Sequence, residues 1–310
     1  MLIENLPNVI YVADPNYLNE LSNELGDVSH VFNDLVFSST LKTDICFALD
    51  AWINPQILHF ESISQAVRAL RAAGKFWYLH PIENIRRSRL IESELRKLPD
   101  LNHAFPLTEE IPQIGCFSLL DKNTLVYCNT RWKKAPLGNY HFIEDKINPP
   151  NRAYLKLWEA LSLWGTYPTK GELAVDLGAS PGGWTYVCQM LGADVIAVDK
   201  APLAEHIAKL PRVQFQQQSA FALDPNSFEK DIDWLLCDVA CYPERTFDLV
   251  TQWIQSGKAK RMIFTLKLQG ETNLKIIEKF QAIPKSRVIH MMSNKHEATF
   301  FYPAPSYLFL

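Results

Sequence analysis

From Lys170 onward, short apolar runs alternate with amphipathic stretches, the rhythm of buried strands feeding crossover helices in a parallel sheet. It predicts strands over residues 172–177, 194–198, 213–216, 233–237 and 261–268. Two further apolar runs, 287–292 and 298–302, leave no room for a helix between them and predict an antiparallel hairpin that closes the sheet. The first half carries shorter and less regular signals. Residues 8–13 and 44–52 read as strands, 62–73 and 83–98 as helices, and 114–120 with 124–129 as a hairpin, which together make a mixed α+β domain. Residues 133–150, rich in Pro, Gly and Asn, separate this region from a predicted helix over 152–164. The expected division is a smaller α+β domain over residues 1–145 and an α/β domain over 146–310, with no internal repeat or low-complexity tract.

Length supports two domains: 310 residues, 47% of them hydrophobic, provide two cores at the usual size of about 100–150 residues. No stretch approaches the roughly 18 apolar residues of a membrane helix. The start, MLIENLPNV, has neither a basic region nor an apolar signal core, so a cytoplasmic protein without a membrane partner is expected. Six scattered cysteines, Cys46, Cys116, Cys128, Cys188, Cys237 and Cys241, form no CxxC pair, which fits reduced thiols and predicts no structural metal. The formal net charge of −3 excludes the uniformly basic surface of a sequence-indifferent nucleic-acid binder. Contact with nucleic acid would rest on local clusters: Arg86, Arg87 and Arg89; Arg131, Lys133 and Lys134; or Lys258, Lys260 and Arg261. Taken singly, each reads first as a solvated face.

Candidate chemistry concentrates at Asp176-Leu-Gly-Ala-Ser-Pro-Gly-Gly-Trp184, where the first strand of the α/β domain turns into a helix. Glycines there let a ligand approach the backbone, and helix-terminal N–H groups meet its polar atoms. The spacing Gly178, Gly182, Gly183 is not GxGxxG, and Pro181 opens the helix where its missing N–H costs nothing, which weakens a dinucleotide reading. Asp199 ends the second strand, where a carboxylate takes both ribose hydroxyls of a nucleoside cofactor, NAD or S-adenosylmethionine alike. A tight structural turn and a helix cap are the simpler readings of these residues; their shared context counts against both. A five-strand parallel run ending in a hairpin separates the two cofactors, because it is the Rossmann-like sheet of class I methyltransferases rather than of dehydrogenases.

With DLGASPGGWTYV followed by DWLLCD and IFTLKLQG, the stretch 152–302 resembles the FtsJ-like family of ribose 2′-O-methyltransferases. Within that family, RAYLKLWEAL, IDWLLCD and the closing HEATFF are most similar to the bacterial large-subunit ribosomal RNA methyltransferase M subgroup, as is, more faintly, FSSTLKTDICFALDAW in the first half. The resemblance implies transfer of a methyl group from S-adenosyl-L-methionine to a ribose 2′-hydroxyl of RNA, in that subgroup a cytidine of large-subunit ribosomal RNA. It also implies an N-terminal RNA-presenting domain with a reduced THUMP-type module. The cofactor site it implies comprises Gly178, Ser180, Pro181, Gly182, Gly183, Trp184, Asp199, Ser219 and Asp238. The family's Lys-Asp-Lys-Glu tetrad has counterparts in Lys156 of YLKLWE, Asp238 of LLCD, Lys267 of TLKL and Glu297 of KHEATF.

A ribose hydroxyl is a poor nucleophile and needs both a base and alignment. Lys267 is the expected base. At its reference pKa of about 10.4 it would stay protonated at neutral pH, so burial and Lys156 as a neighbouring cation are expected to push that pKa down. Asp238 and Glu297 would orient the lysines and balance their charge. Alone, Lys156 reads as a helix-surface lysine, Lys267 as a strand-end cation and Glu297 as an exposed strand residue; the four together do not. Ser219 in QQQSAF stands where the family has an acid that holds the adenine amino group, so weaker adenine anchoring is expected; Ala153 stands where the subgroup has serine, so a side-chain hydroxyl contact to the cofactor is lost and a backbone contact stays open.

Three other functions stay open. These are the same chemistry on transfer RNA or another RNA, a catalytically silent RNA-binding homologue, which the tetrad opposes, and an NAD-dependent oxidoreductase, for which no proton-relay His or Tyr is evident. Asn148-Pro149-Pro150 resembles the NPP core of adenine-amino methylases, but Asn151 replaces the stacking aromatic and the run reads as a helix-entry turn. His290 and His296 flank the closing turn with no carboxylate or cysteine at ligand spacing and read as polar surface residues.

Overall fold

The structure, a computed structural model, describes residues 8–268, 270 and 272–308. The first seven residues of the MLIENLPNV start and Gln269 of the IFTLKLQG run lie outside the described residues. The chain divides into two compact units at His141/Phe142, and the short stretch Ala104–Pro106 joins the second.

The first unit contains, in order, β1 (Val9–Ala13), α1 (Leu18–Leu25), β2 (Val28–Phe32), β3 (Leu35–Ser38), β4 (Ala48–Ile53) and β5 (Gln56–His59). It continues with α2 (Ile63–Ala73), β6 (Trp77–Leu79), α3 (Ile85–Glu94), β7 (Gly115–Leu119), β8 (Thr124–Cys128) and β9 (Thr130–Arg131). One antiparallel sheet has the order β2-β3-β1-β4-β9; a second, β5-β8-β7-β6, is antiparallel except where β6 runs parallel to β7. Helix α2 starts at Ser62, whose hydroxyl accepts the Gln65 N–H at 3.3 Å, and buries Ala66, Val67 and Leu70 against Trp77, Phe117 and Leu119. The strand predicted over 44–52 begins only at Ala48. The amides of Cys46 and Phe47 donate to the Glu24 carboxylate, each at 3.0 Å, and are thereby lost to the ladder. The helix predicted to reach 98 stops at Glu94, whose carbonyl is taken by the Arg71 guanidinium.

The second unit contains α4 (Tyr154–Trp164), β10 (Leu173–Leu177), α5 (Gly183–Met190), β11 (Asp194–Asp199), α6 (Glu205–Ala208) and β12 (Val213–Gln217). There follow β13 (Trp234–Cys237), α7 (Pro243–Ser256), β14 (Met262–Lys267), α8 (Leu274–Gln281), β15 (Arg287–Ile289) and β16 (Glu297–Tyr302). Its sheet has the order β12-β11-β10-β13-β14-β16-β15; the first five strands are parallel and β16 is antiparallel to both neighbours. This is the Rossmann-like parallel run closed by a hairpin that the sequence predicts. The chain reverses its winding at β10, so the carboxyl ends of β10, β11 and β13 frame the crevice where such sheets bind ligands.

The hairpin departs from expectation in two respects. The strand predicted over 287–292 ends at Ile289, because Met291 N–H donates to Asn294 Oδ1 at 2.8 Å and the amides of Met292 and Ser293 donate to the Glu159 carboxylate at 2.9 and 2.7 Å. His290 is not at the surface: it is 1% exposed, and its Nδ1 lies 2.8 Å from the Glu297 carbonyl oxygen. Among the described residues no helix is long and apolar enough to cross a membrane, and no group of three His, Cys, Asp or Glu is placed to hold a metal ion. All six cysteines are free thiols; burial pushes Cys116 up to about 12 and Cys128 to about 11.

Candidate active site

A cleft of about 400 Å³ lies at the carboxyl ends of β10, β11 and β13, within the range of small-molecule sites. Its wall includes Gly178, Ser180, Asp199, Ser219 and Asp238, together with Phe221 and Arg245, which sequence reasoning had missed. Gly178 has φ +77°, and a Cβ there would sit 2.5 Å from Val239 Cγ2, so only glycine lets the turn pass under the loop after β13. Asp199 accepts the Ser180 N–H at 3.0 Å and the Ala201 N–H at 2.9 Å, which draws the loops after β10 and β11 together around one carboxylate. Ser219 accepts the Phe221 N–H at 3.3 Å and fixes a short turn that presents the Phe221 ring, over which the Arg245 guanidinium lies at 3.8 Å. The aromatic two residues after Ser219 was a legible signal; Arg245, on the helix after β13, had none.

The remaining residues of the glycine motif lie outside this wall. A Cβ on Gly182 would meet Ile207 Cγ2 at 2.6 Å, and one on Gly183 would meet Asn151 Oδ1 at 2.6 Å. The Pro181 carbonyl accepts from Ala204 N–H at 2.9 Å, and Trp184 Nε1–H donates to the Ala153 carbonyl at 2.9 Å. These four hold α5 against α6 and the entry to α4. Asp176, behind the turn, is 1% exposed; it accepts from the Thr185 hydroxyl at 2.7 Å while its Oδ1 has no partner. Burial, aided by the nearby Asp238 charge, pushes its carboxyl up to about 7.

At one end of the cleft Asp238 joins three other side chains in a closed ring. Lys156 comes from α4, Asp238 follows β13, Lys267 ends β14, and Glu297 opens β16 directly opposite Lys267. Lys267 Nζ lies 2.6 Å from Asp238 Oδ1 and 2.6 Å from Glu297 Oε2. Lys156 Nζ lies 3.1 Å from Asp238 Oδ1 and 2.6 Å from Glu297 Oε1. Two ammonium groups and two carboxylates thus alternate with no net charge. The expected depression of the Lys267 pKa does not occur: burial pushes it down, but Asp238 and Glu297 in direct contact more than reverse this and hold the ammonium well above its usual value. Burial likewise pushes Glu297 up, and the two lysines together keep it below its usual value. Glu159, buried one turn after Lys156 on α4, binds the amides of the hairpin turn that leads into Glu297. Its three-residue spacing from Lys156 was the available signal.

A family model described as FtsJ-like methyltransferase matches residues 149–302, which include the glycine turn, the cleft and all four ring residues. Among curated relatives, the ribosomal RNA large subunit methyltransferase M of Halorhodospira halophila is 44% identical over 124 residues, 39% of this chain and 36% of that protein. The protein of that name from Teredinibacter turnerae is 32% identical over 176 residues, 54% of this chain and 49% of the relative. The one from Hahella chejuensis is 28% identical over 240 residues, 70% of this chain and 60% of the relative. The matches thus span about a third to three fifths of the relatives' own lengths. Residues 149–302, which carry the parallel sheet with its closing hairpin, form an FtsJ-like methyltransferase domain.

Proposed function

We propose that the chain transfers a methyl group from S-adenosyl-L-methionine to a ribose 2′-hydroxyl of RNA, at a cytidine of large-subunit ribosomal RNA. The observation that carries this reading is the closed Lys156–Asp238–Lys267–Glu297 ring at the end of a nucleoside-sized cleft. The donor set favours this cofactor over NAD. Asp199 suits a ribose diol, Phe221 and Ser219 a purine, and the Asp238 carboxylate a cationic tail, whereas a diphosphate would meet both carboxylates. When bound, the cofactor supplies an electrophilic methyl on a positively charged sulfur.

In the resting ring Lys267 is an ammonium ion and cannot accept a proton. A positive charge brought beside Asp238 competes with Lys267 for that carboxylate and lowers its pKa toward the range where a neutral amine exists. Lys267 Nζ, with its side chain 22% exposed, then takes the hydroxyl proton, while Lys156 stays paired with Glu297 and keeps the ring balanced. Two measurements test the reading. Calorimetry should give binding of S-adenosylhomocysteine and none of NAD. Incubation with S-adenosylmethionine and unmodified large-subunit ribosomal RNA should yield a new 2′-O-methylcytidine; methyl groups on bases, or on transfer RNA alone, would reject the proposed substrate.

A further inference from the structure

The three basic clusters of the sequence have different fates in the fold. Arg131 is tied to Asp50 at 2.9 Å and to the carbonyls of Ile114, Lys134 and Ala135. Lys258 donates to the Phe228 carbonyl, Lys260 pairs with Asp233 at 2.8 Å, and Arg261 reaches Glu172 at 3.3 Å. Those two clusters are largely engaged in holding their own domains together. The helices α2 and α3 of the first unit differ. Between positions 61 and 99 there are eight Lys and Arg against four Asp and Glu, a local excess of positive charge in a chain of net charge −3.

The two helices pack side by side and run the same way: Arg87 lies over the Phe60 ring near their starts, and Arg71 donates to Glu94 at their ends. Arg68 on α2 and Arg86 and Arg89 on α3 are exposed. Arg68 and Arg86 have no hydrogen-bond or ion-pair partner among the described residues, and Arg89 has only an exposed pair with Glu92, a contact of little value in water. Arg86 and Arg87 occupy the first turn of α3, where the helix dipole disfavours cations, no acid offsets them, and Asn84 makes no side-chain cap. Arg87 is held inside the domain by the Phe60 ring and Asn123 Oδ1, whereas Arg86 costs the helix stability and gains no partner among the described residues, which points to an anion from outside.

We infer that the exposed face of α2 and α3 is a contact surface for the RNA phosphate backbone, engaged through Arg68, Arg86 and Arg89. Guanidinium groups suit this task because their planar fork grips phosphate oxygens in pairs. The inference rests on the RNA reading above and deepens it: the phosphates fix the position of the RNA, and sequence is read elsewhere.

The test is fluorescence anisotropy with a labelled mixed-sequence RNA hairpin bearing single-stranded tails, read across a salt series. The variant is Arg68→Gln/Arg86→Gln/Arg89→Gln, which spares the arginines that hold Phe60, Phe76 and Glu94. Loss of three phosphate contacts should lower the slope of log K against log salt by about 2–3 and weaken binding about tenfold or more at low salt. The thermal midpoint and the affinity for S-adenosylhomocysteine should stay at wild-type values. A reduced slope supports the surface whether or not the RNA is methylated, so failure of the substrate proposal is read separately, by methyl transfer. An unchanged slope overturns the inference even if methylation proceeds. Wild-type RNA binding retained by the variant, with loss of binding to phosphatidylserine vesicles, overturns it in favour of a lipid surface.

Discussion

Each unit carries a cluster of sequestered charge, and the two are built in opposite ways. In the first, the Asp50 carboxylate is wholly buried with one cation, Arg131, and most bonds of the pair go to backbone: Asp50 accepts from Ala51 and Lys133 amides, and Arg131 donates to three carbonyls. Burial pushes the Asp50 carboxyl up even against Arg131. This pair is a clamp that fastens β4 to β9 and to the chain beyond it. In the second unit, the ring side chains bond only one another among the described residues, and Asp238 also faces the cleft. Charge fastened to backbone builds the fold, while charge closed on itself beside a cavity is available for chemistry.

Breaking the ring at its proposed base should have the largest effect. Lys267→Ala should lower single-turnover methyl transfer by about 10²–10⁴, the usual span of general-base catalysis, and leave cofactor affinity nearly unchanged. Lys267→Arg should fail equally, because guanidinium keeps its proton at any workable pH. The raised Lys267 pKa adds a signed prediction. The ion-paired ammonium stabilises the fold fully below the ordinary lysine value, and this is lost as pH rises through the folded value. The kcat/KM for S-adenosylmethionine, which reports the resting ring, should accordingly climb with pH through the alkaline range without levelling by pH about 9, and that slope should vanish in Lys267→Arg. Near wild-type turnover in Lys267→Arg would make Lys267 a positioning cation.

Breaking the clamp should cost folding and spare chemistry. Asp50→Ala leaves Arg131 buried without a counter-charge, for which about 3–5 kcal/mol is typical, measured by denaturant unfolding of the first unit's transition. Affinity for S-adenosylhomocysteine should not change; if it fell in step, the two clusters would not be separable.

Glu159 belongs to neither class, since it is a buried carboxylate that bonds backbone in order to place a ring member. Glu159→Ala should lower turnover about tenfold through Glu297, with KM for RNA little changed, and Glu159→Gln, which can still accept from one amide, should recover part of it. A lower thermal midpoint with turnover intact in the folded range would reduce Glu159 to a structural role.

The difference between the units also explains what the sequence disclosed. The central strands β13 and β14 of the second unit are buried on both faces and form near-continuous apolar runs, while the edge strand β12, VQFQQ, alternates and has no buried residue. In the first unit β2 alternates between half-buried and exposed positions and β5 has no buried residue, so neither stands out, and β6 is only three residues long. The ring residues were legible because each sits in a recognisable motif at a strand or helix end. Their charge state was not, because it depends on two carboxylates within 2.6 Å of Lys267, from β13 and β16, elements far apart in the chain. The glycine motif was legible as a whole, but its division between cleft wall and helix packing was not, since Ile207 and Asn151 come from other segments.

The smallest expected effect sharpens the comparison by adding a charge to the cleft instead of removing one. Ser219 caps its turn through the Phe221 amide, and aspartate caps such turns equally well, so Ser219→Asp should leave the turn in place. If the adenine amino group lies beside position 219, a carboxylate there gains a charge-assisted hydrogen bond typically worth about 1.5–3 kcal/mol, or roughly tenfold or more in affinity. Arg245 opposes the full gain, because its guanidinium, now over the Phe221 ring, would be drawn to the new carboxylate and compete for it. The single variant should therefore tighten S-adenosylhomocysteine by less than tenfold, and Ser219→Asp/Arg245→Ala should tighten it further than the two substitutions predict separately. Calorimetry on the four proteins of this cycle measures the coupling directly. No gain in either variant would mean that the purine is held away from Ser219, and the assignment of that end of the cleft to adenine would fall.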